Sequence, residues 1–395
     1  MMKQSLLLTS WMIGLIAYGC QSQEKKMEKS SPVKPTADTI VPLLPYESLK
    51  YSFTEQIAAE PGTKSVLFDQ QRKRLYAMNL EGMSVAEYDR ASRRPLRFYR
   101  FEKTKGRGWD YATNRSISSW EEKPVEAWLT HQDRVLWVSL HNAGGVVGIR
   151  VDSLEKNIGN AEKTKRIAVT DSNGKATTIT VPLFMTGATP KIIIATPDER
   201  KLLVSNWHAE TISVLDLLPA SPYAKTGLNI KMPDIPRGMV SDPIRKKTYV
   251  AIMGGTSLAV LNETNWTRDT ILPISGSPRH ILRDSSGRLL VSYNAQARLA
   301  CLDPDNGKTL FSIGTAAQPR TIALSRNQQF VFVTGYSSNK LEVYKIFSDR
   351  FEKVASLPCP GHPVGVDLYE DNTHIEAWVC SYLGGNIHIF SFQKN

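Results

Sequence analysis

Residues 190–217 read PKIIIATPDERKLLVSNWHAETISVLDL. A proline opens the stretch and an apolar run follows, Ile192 to Ala195. A polar turn (Thr196 to Arg200) leads to a second run, Leu202 to Val204. A second polar loop, Trp207 to Glu210, precedes a third, alternating run that ends at Asp216. Runs this short, rich in β-branched residues and bounded by turn formers, predict strands. The phrase recurs at Pro236, Pro278, Pro319 and Pro363, with starts 41 to 46 residues apart. Pro124 opens an earlier copy and Thr63 the first. The two early spacings are longer because they carry insertions, about 103–123 and 153–188.

Seven copies of three strands plus a linking fourth predict an all-β fold, a seven-bladed β-propeller of four-stranded blades. A small sheet that is apolar on both faces cannot bury them alone, so such sheets stack in a ring. The ends fit this arrangement. The last copy stops after its third strand, Asn386 to Phe392. The strand-like run Tyr51 to Ile57 precedes the first copy and is expected to supply the missing outer strand of the last blade. Closure of this kind removes an exposed sheet edge. No amphipathic helix is evident in the mature chain.

The phrase Leu202-Leu203-Val204-Ser205-Asn206-Trp207, continued by Thr211 to Asp216, resembles the YVTN-type propeller repeat of bacterial and archaeal surface and periplasmic proteins. The resemblance covers about residues 51–395. It implies the fold, and it leaves function open, because this architecture hosts binding proteins, scaffolds and lyases.

Composition is ordinary for a globular chain: 41% hydrophobic, 22% charged and 9% aromatic over 395 residues. That excludes wholesale disorder and collagen-like or disulfide-stapled classes. The formal net charge of +11 favours anionic partners: glycans, phosphates, nucleic acid or lipid head groups. The N-terminus is basic at Lys3 and carries a twelve-residue, mostly apolar run from Leu6 to Ala17. The run is too short to span a bilayer and reads as a signal-peptide core. Ile16-Ala17-Tyr18-Gly19-Cys20 resembles a bacterial lipobox. The resemblance implies cleavage before Cys20, acylation of its sulfur and amine, and a stable membrane anchor. Residues 1–19 are thus expected to be the signal peptide and 20–45 an extended Lys/Ser/Pro-rich tether. Residues 46–395 are expected to form the propeller. By the rules of Gram-negative lipoproteins, whose lipobox this motif resembles, Gln21 after the cysteine implies the outer membrane. Of the remaining cysteines, Cys359 and Cys380 are the candidate pair, with buried free thiols the favoured reading for Cys301, Cys359 and Cys380.

In each predicted blade the first strand runs away from the face on which it starts. That starting face also receives the loops between second and third strands. One slot on it stands out, the residue after each opening Pro or Thr. It holds Lys64, Val125, Lys191, Arg237, Arg279, Arg320 and Val364. Five of the seven are basic, where 49 Lys+Arg in 395 residues would place about one. In a ring these side chains would circle the channel mouth and repel one another unless anions neutralise them; Glu126 is the main acidic neighbour. The first insertion lies on the same face and mixes Lys105, Arg107 and Arg115 with Trp109, Tyr111 and Trp120, a pattern suited to sugar rings or stacked bases. The second-to-third strand loops add His141-Asn142, Trp207-His208, Asn294, Tyr336 and Tyr382. The candidate ligand-binding set is therefore Lys64, Lys191, Arg237, Arg279, Arg320, Trp109, Tyr111, Trp120, Trp207 and His208. The second insertion reads as an outer hairpin turning at Ser172 to Lys175, a candidate docking edge on the opposite face.

Catalytic signatures are scarce. No Gly-x-Ser-x-Gly, His-Glu-x-x-His, Walker or Gly-x-Gly-x-x-Gly motif occurs, and no metal or cofactor spacing is present. His280 and His362 are the candidates for a propeller-type lyase, in which histidine abstracts a proton beside an arginine-stabilised carboxylate. Because neighbours on a strand point to opposite sides, Arg279 and His280 are not expected to face the channel together. The sequence thus favours a non-enzymatic envelope binding protein for an acidic glycan, cell-wall fragment or nucleic acid. A protein-interaction scaffold in an envelope complex and a lyase are the alternatives.

Overall fold

A computed structural model describes residues 44–110, 112–154, 162–219 and 221–395. The expected lipidation site Cys20, the signal peptide and nearly all of the tether lie outside the described residues, as does Tyr111. Among the described residues every regular element is a strand. Five sheets have four antiparallel strands each, one has nine, and one hairpin stands apart.

The opening residues found in the sequence are where strands begin: Thr63–Asp69, Pro124–Thr130, Pro190–Ala195, Pro236–Asp242, Pro278–Arg283, Pro319–Leu324 and Pro363–Glu370. These first strands touch one another in cyclic order, and Pro363–Glu370 closes the cycle against Thr63–Asp69. Proline suits the first residue of a strand, where no ladder bond is lost. The chain's first described strand, Leu49–Ala58, pairs with its last, Asn386–Lys394, in the register Thr54↔Phe390 and Ile57↔Ile387. The outer strand of the closing sheet thus comes from the N-terminal side, as the end pattern predicts.

Six apolar clusters among the described residues sit between two neighbouring sheets, and a seventh lies between the two ends of the nine-stranded one, where Tyr76 and Val85 meet Leu136 and Val147. Trp137 and Val146 of one sheet pack on Ile193, Leu202 and Val204 of the next; Phe332 and Leu341 pack on Phe390 and Phe392. Burial on both faces explains why the second strands read as unbroken apolar runs rather than alternating ones. Leu202, Leu203 and Val204 are all fully buried. Full burial of each such side chain contributes roughly 1.5–3 kcal/mol. Cys301, Cys359 and Cys380 are buried free thiols, and burial pushes each thiol up to about 12.

The second insertion differs from expectation. It forms Thr164–Asp171 and Ala176–Met185 around the predicted turn, with Gly174 at φ 79°. The hairpin is no free docking edge. Thr164–Asp171 is bonded to Pro95–Phe101 (Ile167↔Phe101), and the end of Ala176–Met185 is bonded to Gly145–Arg150 (Leu183↔Val147). It joins the outer strands of two neighbouring sheets into the nine-stranded one.

Candidate functional site

A β-bulge places the cations. The register against the second strand shifts at the start of every first strand: Thr63/Ser65, Pro124/Ala127, Pro190/Ile193, Pro236/Met239, Pro278/His280, Pro319/Ile322 and Pro363/Gly365. A bulge leaves one residue outside the ladder and re-aims its side chain. The bulged stretch contains the slot residue each time, a cation in five of the seven. A recurring hydroxyl on the second strand satisfies the backbone there. Ser139 Oγ accepts from Glu126 N (3.2 Å) and donates to the Lys191 carbonyl of the next sheet (2.8 Å). Ser292 Oγ does the same for His280 N (3.2 Å) and the Arg320 carbonyl (2.9 Å). Thr334 repeats it with Thr321 N and the Val364 carbonyl. The carbonyl of the slot residue is thus tied to the preceding sheet, which fixes where its side chain starts.

All five basic slot residues, Lys64, Lys191, Arg237, Arg279 and Arg320, line one cavity of about 630 Å³. Val125 and Val364 occupy the remaining slots and are buried. The first insertion forms a hairpin over this cavity, Lys105–Asp110 with Arg115–Trp120. Asn142 holds the hairpin down by donating to Ser119 Oγ (3.1 Å) and the Trp120 carbonyl (2.7 Å). At its base Lys165 Nζ bonds the buried Glu122 (2.5 Å).

Trp109 of the hairpin lines the cavity, as does Trp207. His208 does not line it but lies between these two rings, 5.0 Å from Trp109 and stacked 5.9 Å from Trp207. Thr189 Oγ1 fixes it through Nδ1 at 2.7 Å. Trp120 also falls outside the lining. It sits at the hairpin base, opposite Lys105, with Lys103 Nζ 5.8 Å from its ring. Aromatic faces support the cations themselves: Lys64 Nζ lies 4.7 Å from the Tyr382 ring, Lys191 Nζ 4.7 Å from Trp207, and Arg320 Cζ 3.7 Å from Tyr336. Such contacts contribute roughly 0.5–2 kcal/mol each and leave the charge in place.

Glu126 is the acid set against this cluster, 3.5 Å from Arg237 Nη2. Burial raises its carboxyl above the usual range, and Arg237 and Lys64 pull it back. Glu81 and Asp110 stand in the cavity wall, and Glu81 is paired with Lys123 at 2.7 Å. Mutual repulsion is visible in the cations. Burial, then Arg320, Arg279 and Arg237, bring the Lys64 amine down to about 7. Burial, then Arg237 and Arg320, hold Arg279 well below its ordinary range. Burial brings Arg320 down to about 10.

A pH dependence follows. A bound anion favours the charged amine, so its bound-state value lies above about 7. Affinity is therefore highest below pH 7 and falls as pH rises above it, by up to about tenfold per unit. At pH 8, calorimetry in two buffers of different ionisation enthalpy is expected to give uptake of close to one proton on anion binding; zero uptake contradicts this account.

The two candidate catalytic histidines are elsewhere. His362 packs on the Tyr336 ring at 4.7 Å, behind Arg320, and bonds the Tyr336 carbonyl through Nδ1 at 3.0 Å. His280 lines a second, largely apolar cavity of about 530 Å³ further along the first strands, together with Glu126 and Trp128. Burial, then Arg237 and Arg279, lower its imidazole to about 3. Arg279 and His280 thus both reach the channel, at different depths. The bulge between Pro278 and His280 breaks the strict alternation that had excluded this. Among the described residues no group of three or more His, Cys, Asp or Glu could hold a metal ion.

Comparison with solved structures shows that the fold is a β-propeller. Virginiamycin B lyase from Staphylococcus aureus superposes with TM-score 0.57 at 10% identity, over 87% of this chain and 99% of that one. The Cps50 (Swd1) propeller domain of Myceliophteria thermophila gives 0.60 at 12%, over 85% and 99%. U3-55K gives 0.64 at 9%, over 85% and 98%. In sequence, antigen Lp49 of Leptospira interrogans is 27% identical over 230 residues, covering 52% of this chain. The match spans about half (48%) of that relative's length. No family model matches the chain.

Proposed function

We propose that the chain is an envelope lipoprotein anchored at Cys20. In this reading its propeller has seven four-stranded blades and binds an anionic ligand non-enzymatically. The ligand class is an acidic glycan, a cell-wall fragment or a nucleic-acid strand. The observation that carries this reading is the convergence of five cations from five separate first strands in one cavity, against Glu126. Concentrating like charges opposes folding, and an anion in the cavity offsets that cost. Trp109, Trp207, Tyr336 and Tyr382 supply flat faces beside the charges for sugar rings or bases. The nine-stranded sheet is read here as two blades sharing the Thr164–Met185 hairpin.

The test is binding of heparin fragments and oligonucleotides to residues 46–395 at two ionic strengths. With several charges neutralised, affinity is expected to fall at least about tenfold between 50 and 200 mM salt. Affinity that does not change with salt contradicts the reading.

A further inference from the structure

Of the two lysines among the five cations, Lys64 is the accessible one. It projects into the cavity from the bulge between Thr63 and Ser65. Its Nζ faces the Tyr382 ring, and among the described residues it makes no hydrogen bond or ion pair. It is half-buried and reached through the cavity mouth, whereas Lys191 is only 4% exposed. The charged groups facing it are Arg320, Arg279 and Arg237, with Glu126 beneath. An amine with no acceptor, beside several guanidiniums in a cavity wall, is the arrangement that favours a neutral, nucleophilic lysine.

We propose that Lys64 is a nucleophilic amine that forms a reversible imine with an aldehyde or ketone ligand carrying an anionic group. The guanidiniums of Arg237, Arg279 and Arg320 would hold the anion and bring the carbonyl carbon to Nζ. The neutral amine attacks that carbon, and a proton moves from nitrogen to oxygen to give a carbinolamine. Loss of water leaves the C=N bond, and hydrolysis reverses it without any oxidant or reductant. In the ligand-free cavity the value of about 7 for the amine leaves most of it unprotonated near pH 7.5, where an ordinary lysine is almost wholly charged. A bound anion raises it, so attack draws on the neutral fraction that remains, and protonation of the imine nitrogen then keeps a positive charge beside the anion. The inference rests on anion binding in the same cavity and names the ligand class more narrowly.

The test uses pyridoxal 5′-phosphate as the probe, an anion with an aldehyde, followed by borohydride reduction and peptide mass spectrometry. At pH 7.5 and low probe concentration, Lys64 is expected to be labelled at least about tenfold faster than the exposed Lys340. Lys64→Arg keeps the charge and should still bind pyridoxine 5′-phosphate, which lacks the aldehyde, while the label at that position is lost. If pyridoxine 5′-phosphate binds the native protein and Lys64 is labelled no faster than Lys340, the imine is overturned and anion binding stands. If neither compound binds the cavity, the imine and the anion-binding reading fall together. The comparison of Lys64 with Lys340 is made within the native protein, so it does not depend on any variant folding.

Discussion

Arg279→Glu is expected to lower affinity for a heparin fragment by more than about a hundredfold, and Arg279→Met by about tenfold. A charge-assisted hydrogen bond contributes roughly 1.5–3 kcal/mol, and each 1.4 kcal/mol is tenfold in affinity. Removing the guanidinium forfeits one such bond. Glutamate also places a repelling charge beside Arg237 and Arg320, both of which couple to Arg279, and there it competes with the ligand for them. Stability should move the other way for the neutral variant. Arg279 lines the cavity with its Nη1 3.5 Å from Met253 Sδ. Its charged form is disfavoured by burial and by its neighbours. A methionine there exchanges repulsion for apolar contact, a substitution that stabilises by about 1–4 kcal/mol in buried charge clusters. Urea denaturation of the ligand-free protein should show a higher midpoint for Arg279→Met than for the native chain. A lower midpoint together with undiminished affinity would mean that the guanidinium is a structural brace and that the cavity does not select anions.

The parts of this site differ in how openly the sequence displays them. The repeat was legible because its signals are local. The openers at Thr63, Pro124, Pro190, Pro236, Pro278, Pro319 and Pro363 coincide with the first strands, and the basic slot follows directly from them. Aromatic side chains on short loops, such as Tyr336 and Tyr382, were also placed on the right face. The bulges were not legible. A count of period two assumes regular pairing, and it is the departure from pairing that turns Arg279 into the cationic cavity and His280 into the next one. The hydroxyls Ser139, Ser292 and Thr334 carry a signal that could have been read, since each is the next-to-last residue of its second strand. Pairing across long separations leaves no such trace. Ile167 meets Phe101 through edges that many sequences could supply, so the bridging hairpin looked like a free edge. Within the first insertion, alternation alone cannot say which face meets the cavity. Trp109 faces it, while Trp120 sits at the hairpin base beside Lys103.

Glu126→Gln removes the negative charge set against Arg237 and changes almost nothing in shape. The side chain is 18% exposed, its oxygen is 3.5 Å from Arg237 Nη2, and Lys64 and Lys191 also act on it. Breaking a buried pair by removing one partner costs about 3–5 kcal/mol, because the remaining charge stays desolvated. The expected loss for the ligand-free variant is about 3 kcal/mol, since part of the cluster reaches solvent through the cavity. The same substitution should raise anion affinity by about tenfold, because the internal carboxylate no longer occupies the guanidinium that a ligand would use. The two effects share one cause and so must appear together. Saturating heparin fragment stabilises any variant by RT ln(1 + [L]/Kd), and the tighter binding makes that gain larger for Glu126→Gln than for the native chain. The gap between the native and Glu126→Gln denaturation midpoints should therefore narrow as the fragment's concentration rises, by about 1.4 of the about 3 kcal/mol at saturation. A variant that loses stability and is rescued no better than the native chain would place Glu126 among ordinary packing residues, with the five cations neutralised by some other group.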